Sequence, residues 1–184
     1  MWFFEIFIVG ILVYIFVVFG LAQFVVPNLR RVKTPKEVGE ELKQIIEETN
    51  RTAASDLEFV KTVLFLLRQR FFVKPGQIFI TPWILFRKDV DRIWTMTDTN
   101  QCCTVLNLLL RTFLVKSGRF KEEDLEDRRC ILGVCIHQYL LVRMKSGASM
   151  PLDPWGYLAK RIPPGEHAHG FFLPFFKRPK NHPY

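Results

Sequence analysis

Between residues 2 and 26 nearly every position is apolar, with Glu5 and Gln23 as the polar exceptions. A helix needs about 20 such residues to cross the hydrocarbon of a bilayer, and this run is long enough. Pro27 and Asn28 end it, and Arg30, Arg31, Lys33 and Lys36 follow. No Lys or Arg precedes it. The pattern predicts a single-pass transmembrane anchor over residues 1–27, with the rest of the chain on the cytoplasmic side by the positive-inside tendency. A cleaved signal peptide fits less well, because the basic n-region is missing and the apolar run is too long.

Beyond the anchor, apolar positions recur with helical spacing. Thr34-Pro35-Lys36-Glu37 reads as a capping box with Pro in the first turn. It predicts a helix to about Thr49, with Val38, Leu42, Ile45 and Ile46 on one stripe. A second box, Ser55-Asp56-Leu57-Glu58, opens a helix that ends near Arg70 and carries Leu57, Val60, Leu64 and Leu67 on one face. Residues 71–99 break into short apolar pieces around Pro75-Gly76 and Pro82. The charged stretch Arg87–Arg92 reads as a turn or short helix, and residues 95–100 as a polar loop. From Cys102 or Cys103 to about Lys116 the chain is apolar nearly all round, which predicts a central buried helix. Asn100 is its expected N-cap and Gly118 its expected stop. Residues 119–129 read as a charged loop. Three strands then follow, 129–136, 137–144 and 149–153, with Lys145-Ser146-Gly147 as a turn, which makes an antiparallel meander.

Length and charge narrow the picture. The 184 residues suit one domain plus an appendage. The net charge of +8 is spread along the chain, with small clusters at Arg30–Lys36 and Lys177–Lys180. An anionic membrane surface is the simplest partner for it. No helix-turn-helix, zinc-finger or aromatic-sheet signature points to nucleic acid. The 18 Phe residues fit a ring-built core or a membrane-adjacent surface. The four cysteines, Cys102, Cys103, Cys130 and Cys135, do not form a disulfide framework. Their spacing also fails the paired pattern of a structural zinc site.

Candidate chemistry falls in residues 103–153. A thiol at Cys103, in the first turn of a helix, sits in the positive end of the helix dipole, which favours thiolate. Free backbone N–H groups at that end can hold an oxyanion. In a hairpin whose turn centres near Ser146, residue 137 falls roughly opposite residues 153–155. Register alone therefore makes His137 and Asp153 neighbours. A thiol, a base and a carboxylate that orients the base are the parts that thiol acyl transfer needs. Cys103 would attack a carbonyl, His137 would take the thiol proton, and Asp153 would fix the imidazole. The doublet leaves Cys102 as an alternative nucleophile, and Gln101 is a candidate oxyanion donor. Trp155 stands beside the carboxylate, either walling the triad or packing in the core. His167 and His169 read as loop histidines rather than metal ligands, so no metal and no cofactor is expected.

Three local patterns carry a resemblance. Cys103 opens an apolar helix closed by Gly118; His137-Gln138-Tyr139-Leu140-Leu141-Val142 is a His-x-aromatic-x-hydrophobic strand; Pro151-Leu152-Asp153-Pro154 closes the set. Together, over roughly residues 95–157, they resemble the transglutaminase-like superfamily of cysteine enzymes with the Cys, His, Asp order. The chain departs from the family where Gln101 replaces the usual Gly, and where Gly118-Arg119-Phe120 and an acidic run replace the usual stretch after the helix. The resemblance implies an α+β fold, with a buried nucleophile helix packed on a small antiparallel sheet. With the anchor at 1–27, the chain divides into a juxtamembrane helix and linker at 28–52, a transglutaminase-like domain at 53–176 and a basic tail at 177–184. The expected function is a membrane-anchored cysteine acyl enzyme. It would hydrolyse an amide or peptide bond, or pass the acyl group to an amine, with a protein or peptide as substrate. The alternative is a non-catalytic binding or scaffolding domain of the same fold.

Overall fold

The expected central helix, α6 (Cys103–Lys116), is the axis of the fold, and every side chain from Cys103 to Leu114 is buried. The computed structural model describes residues 2–29 and 32–170. Arg30 and Arg31 lie outside the described residues, as do Phe171, Phe172, Phe175, Phe176 and the basic tail 177–184.

The architecture is mixed α+β. In chain order, α1 (Trp2–Ile15), a π-helical segment (Phe16–Leu21) and α2 (Ala22–Val25) precede α3 (Glu40–Thr52) and α4 (Asp56–Arg70). Then come β1 (Phe71–Phe72), two 3₁₀ turns (Gln77–Phe79 and Pro82–Phe86), α5 (Val90–Thr95), β2 (Thr99–Asn100) and α6. A 3₁₀ turn (Glu122–Asp124), β3 (Leu125–Leu132), β4 (Cys135–Arg143), β5 (Ser149–Leu152) and α7 (Pro154–Lys160) complete it. Strands β3, β4 and β5 form an antiparallel sheet in that order, and β1 pairs with β2 in parallel.

α6 is covered by α3, α4, α7, β4 and the Pro82–Phe86 turn. That is why its sequence is apolar on all faces rather than along one stripe. Its one charged interior residue, Arg111, is 3% exposed. It donates to Glu122 at 2.8 Å, to Asp127 at 3.1 Å and to the Leu125 carbonyl at 3.3 Å. Burying a guanidinium is tolerable only with such partners.

Several expectations are corrected. The apolar N-terminal run is helical, but it is not one regular helix. It divides into 14 residues of α-helix, six of π-helix and four of α-helix. Among the described residues no helix is long and apolar enough to cross a membrane. The backbone stays right-handed helical at both joins, at Ile15 and at Ala22, so the π-helical stretch is a widened segment between the two α-helical ones. The helix predicted from Thr34 starts at Glu40, with Gly39 at its N-cap. Thr34 hydrogen-bonds Glu122 instead, and the Gly39 N–H donates to Asp91 at 2.7 Å. Ser55 does cap α4, accepting from the Glu58 N–H at 3.1 Å. Leu57, placed on the inner face of that helix, is 38% exposed, and Phe59 and Val63 are buried there with Val60, Leu64 and Leu67. Asn100 does not cap α6; Cys102 holds that position. β3 starts at Leu125, inside the expected loop 119–129, and a turn at Gly133-Val134 separates β3 from β4. Gly133 takes φ 59°, the left-handed conformation such a turn requires.

Candidate functional site

β4 and β5 align Leu140 with Leu152 and Val142 with Met150. Continuing that register sets His137 beside the chain just past β5, where Asp153 begins α7. The imidazole Nε2–H donates to Asp153 Oδ2 at 2.8 Å. Asp153 is also the N-cap of α7, with Oδ1 accepting from the Gly156 N–H at 2.8 Å. Its Oδ2 accepts a further bond from the Ala168 N–H at 2.8 Å. The loop after α7 thus closes over the carboxylate.

The other side of the imidazole faces α6. Cys103 and His137 line the same cleft, and Cys103 is among the groups that raise the His137 pKa. Since Nε2 is committed to Asp153, Nδ1 is the nitrogen left for the thiol. All three residues are buried, Cys103 at 8% and His137 and Asp153 at 3% exposure. Burial alone would drive the proton off His137. The Asp153 carboxylate outweighs that by its charge and its hydrogen bond, and Cys103 adds to it, so the imidazole pKa rises to about 10. Burial likewise opposes ionisation of Asp153. The charge and hydrogen bond of His137, then the Ala168 and Gly156 N–H groups, hold its carboxyl below the usual value. The pair therefore favours carboxylate with imidazolium.

The neighbouring thiols differ. Cys102 Sγ points away, toward Thr104 Oγ1 at 3.2 Å and the Ile84 carbonyl at 3.8 Å. Burial, and then the charge of Cys103, push its pKa up to about 11. Burial, helped by Asp153 and Cys103, pushes Cys130 up to about 12, and burial also raises Cys135. Gln101 is 1% exposed. Its carbonyl accepts from Arg87 at 2.8 Å and its amide donates to Thr99 Oγ1 at 2.9 Å. It is therefore a rigidly held wall residue, with one donor already spent. Trp155 meets His137 edge-on, with ring centroids 5.3 Å apart.

Cys103, His137, Gln101 and Trp155 line one partly open cleft of about 90 Å³. Its far walls were invisible in the sequence. They come from the unreadable 71–99 stretch, through Ile78, Phe79 and Ile84, and from the β3–β4 turn, through Val134 and Cys135. The only local hint was the Pro75-Gly76 turn flanked by apolar pieces. His167 lies flat on Tyr139, with centroids 4.0 Å apart, and its Nδ1 is 3.9 Å from Cys130 Sγ. Among the described residues no group of His, Cys, Asp and Glu is arranged to hold a metal.

Comparison with protein-family profiles, with curated proteins and with solved structures found no match to this chain.

Proposed function

We propose that the chain is a cysteine acyl enzyme of transglutaminase-like type, held at a membrane by its N-terminal segment. One observation carries the reading: the His137–Asp153 hydrogen bond stands beside Cys103 at the wall of one cleft. Cys103 would attack a substrate carbonyl as thiolate, paired with the His137 imidazolium. The oxyanion would form beside the first turn of α6, whose leading backbone N–H groups have no intrahelical acceptor. His137 would then protonate the leaving group, and water or an amine would cleave the thioester by the reverse sequence. Asp153 would keep the imidazole in one tautomer and orientation.

Membrane attachment is supported by exposure. Trp2, Phe4, Ile6, Phe7, Leu12 and Phe16 are each more than half exposed. So much apolar surface on one helical segment marks a lipid or protein contact. The basic residues that follow it support a cytoplasmic-side location.

Iodoacetamide at neutral pH tests the catalytic reading. Cys103 is expected to label ahead of Cys102, Cys130 and Cys135, and His137→Ala to slow it. Equal, slow labelling of all four thiols would remove the enzyme reading and leave the binding-domain alternative.

A further inference from the structure

The site's walls carry information about its substrate. The cleft beside Cys103 is lined mainly by aliphatic and aromatic groups, with Ile78, Phe79, Ile84 and Val134 among them. Its polar side chains are already engaged. Gln101 is held between Arg87 and Thr99, and Asn100 accepts from the Lys74 N–H at 2.8 Å. Few groups remain to recognise a peptide backbone, which presents a donor and an acceptor at every residue. Besides His137, Lys74 is the one lining side chain that carries a charge.

The mouth is apolar as well. Phe79 and Val134 line the cleft and yet are each 58% exposed, so they stand at its opening. Ile80 and Trp83, in the adjoining turns, are 74% and 61% exposed. This rim runs on to the N-terminal segment. The Tyr14 hydroxyl of α1 donates to the Val134 carbonyl, and the π-helical segment packs on β4. The proposed membrane contact and the entrance to the cleft thus adjoin one another through the β3–β4 turn.

We infer that the substrate is a long-chain acyl ester of a membrane glycerophospholipid, whose acyl chain enters from the bilayer between Phe79 and Val134 and whose carbonyl reaches Cys103. The inference rests on the acyl-enzyme reading above. Lys74, an exposed lining residue whose ammonium lies over the Phe72 ring at 5.3 Å, suits the lipid phosphate. In the first step the Cys103 sulfur bonds to the ester carbonyl carbon, and the ester C–O bond breaks. His137 returns the thiol proton to the departing glycerol oxygen. In the second step water attacks the thioester, giving its proton to His137. The C–S bond then breaks, a fatty acid leaves, and the proton returns to sulfur. Water is the only co-reactant.

The test uses the full chain in phosphatidylglycerol vesicles. Protein quenched in acid is weighed by mass spectrometry for one added acyl chain, which peptide mapping should place on Cys103. In parallel, p-nitrophenyl esters from butanoyl to hexadecanoyl, and peptide amides, are compared in detergent. The long-chain ester should exceed the short-chain ester by at least about 100-fold in kcat/KM, because every methylene buried in an apolar cleft adds to binding. Phe79→Asp and Val134→Asp should each shrink that ratio about tenfold or more. A ratio is insensitive to the fraction of protein that folds. Equal rates along the series, or preference for peptide amides, would overturn the lipid substrate while His137-dependent labelling of Cys103 still stood. Failure of that labelling would remove the enzyme reading itself.

Discussion

At the residue scale, the single carboxylate of Asp153 serves three partners: His137, Gly156 and Ala168. Asp153→Asn keeps the shape but reverses a donor, and triads so altered lose activity on the order of 10⁴-fold. The same loss is expected in turnover of a thiol-reactive ester, with iodoacetamide labelling slowed as well. Asp153→Ala should add a stability penalty of about 1–3 kcal/mol from the lost cap and the stranded Ala168 N–H, read from denaturant midpoints. Gly156 is constrained by the same group. A Cβ there would lie 2.6 Å from Asp153 Oδ2, so Gly156→Ala should displace the carboxylate and slow Cys103 labelling. The contact between His137 and Asp153 was legible in the sequence, because a hairpin turn fixes register within a residue or two. Between Cys102 and Cys103 the spacing to Gly118 gave only a preference for Cys103; which way two adjacent side chains leave a helix start depends on packing, and Cys102 Sγ turns toward Thr104 and Ile84.

At the scale of elements, α6 and its Arg111 hold the scaffold together. Arg111 joins this helix to β3 through Asp127, and Asp127 also accepts from the Val32 N–H at 3.1 Å. Arg111→Ala should cost about 3–5 kcal/mol, since it strands a buried carboxylate. Urea unfolding would measure it. Replacing Arg111 and Asp127 together by apolar residues should recover much of that loss. The burial and bounds of α6 could be read from its composition alone. The starts of α3 and β3 could not. Thr34 had a good capping sequence, but a tertiary bond to Glu122 took it elsewhere, and Gly39 capped α3 instead. The charged residues of β3 lie on a strand whose outward face is solvated, where charge says little about strand or loop. Residues 71–99 fold into β1, two 3₁₀ turns, α5 and the start of β2, each too short for a periodic pattern to mark it.

Taken as a whole molecule, the chain combines a pH-sensitive site with an apolar segment. His137 holds its proton to about 10, against an ordinary value of 6.5, so its contribution to stability is full below 6.5 and is lost as pH rises through 10. Asp153, with its pKa lowered, contributes above the ordinary value of 3.8, and that contribution is lost as pH falls through its folded value. The thermal midpoint should therefore decline from neutral pH toward pH 10, and His137→Gln should lack that slope. The full chain should float with phospholipid vesicles, and Ile8→Asp with Leu12→Asp should release it, because carboxylates are costly in a lipid-facing helix. One consequence of the Asp153 junction concerns the choice of an inert reference protein. That carboxylate ties the end of β5, the start of α7 and the loop at Ala168 into a single knot. An Asp153→Ala variant would lose chemistry and architecture together, and its silence would not tell one from the other. Cys103 joins no such junction, so Cys103→Ala is the sound blank for the ester and labelling assays.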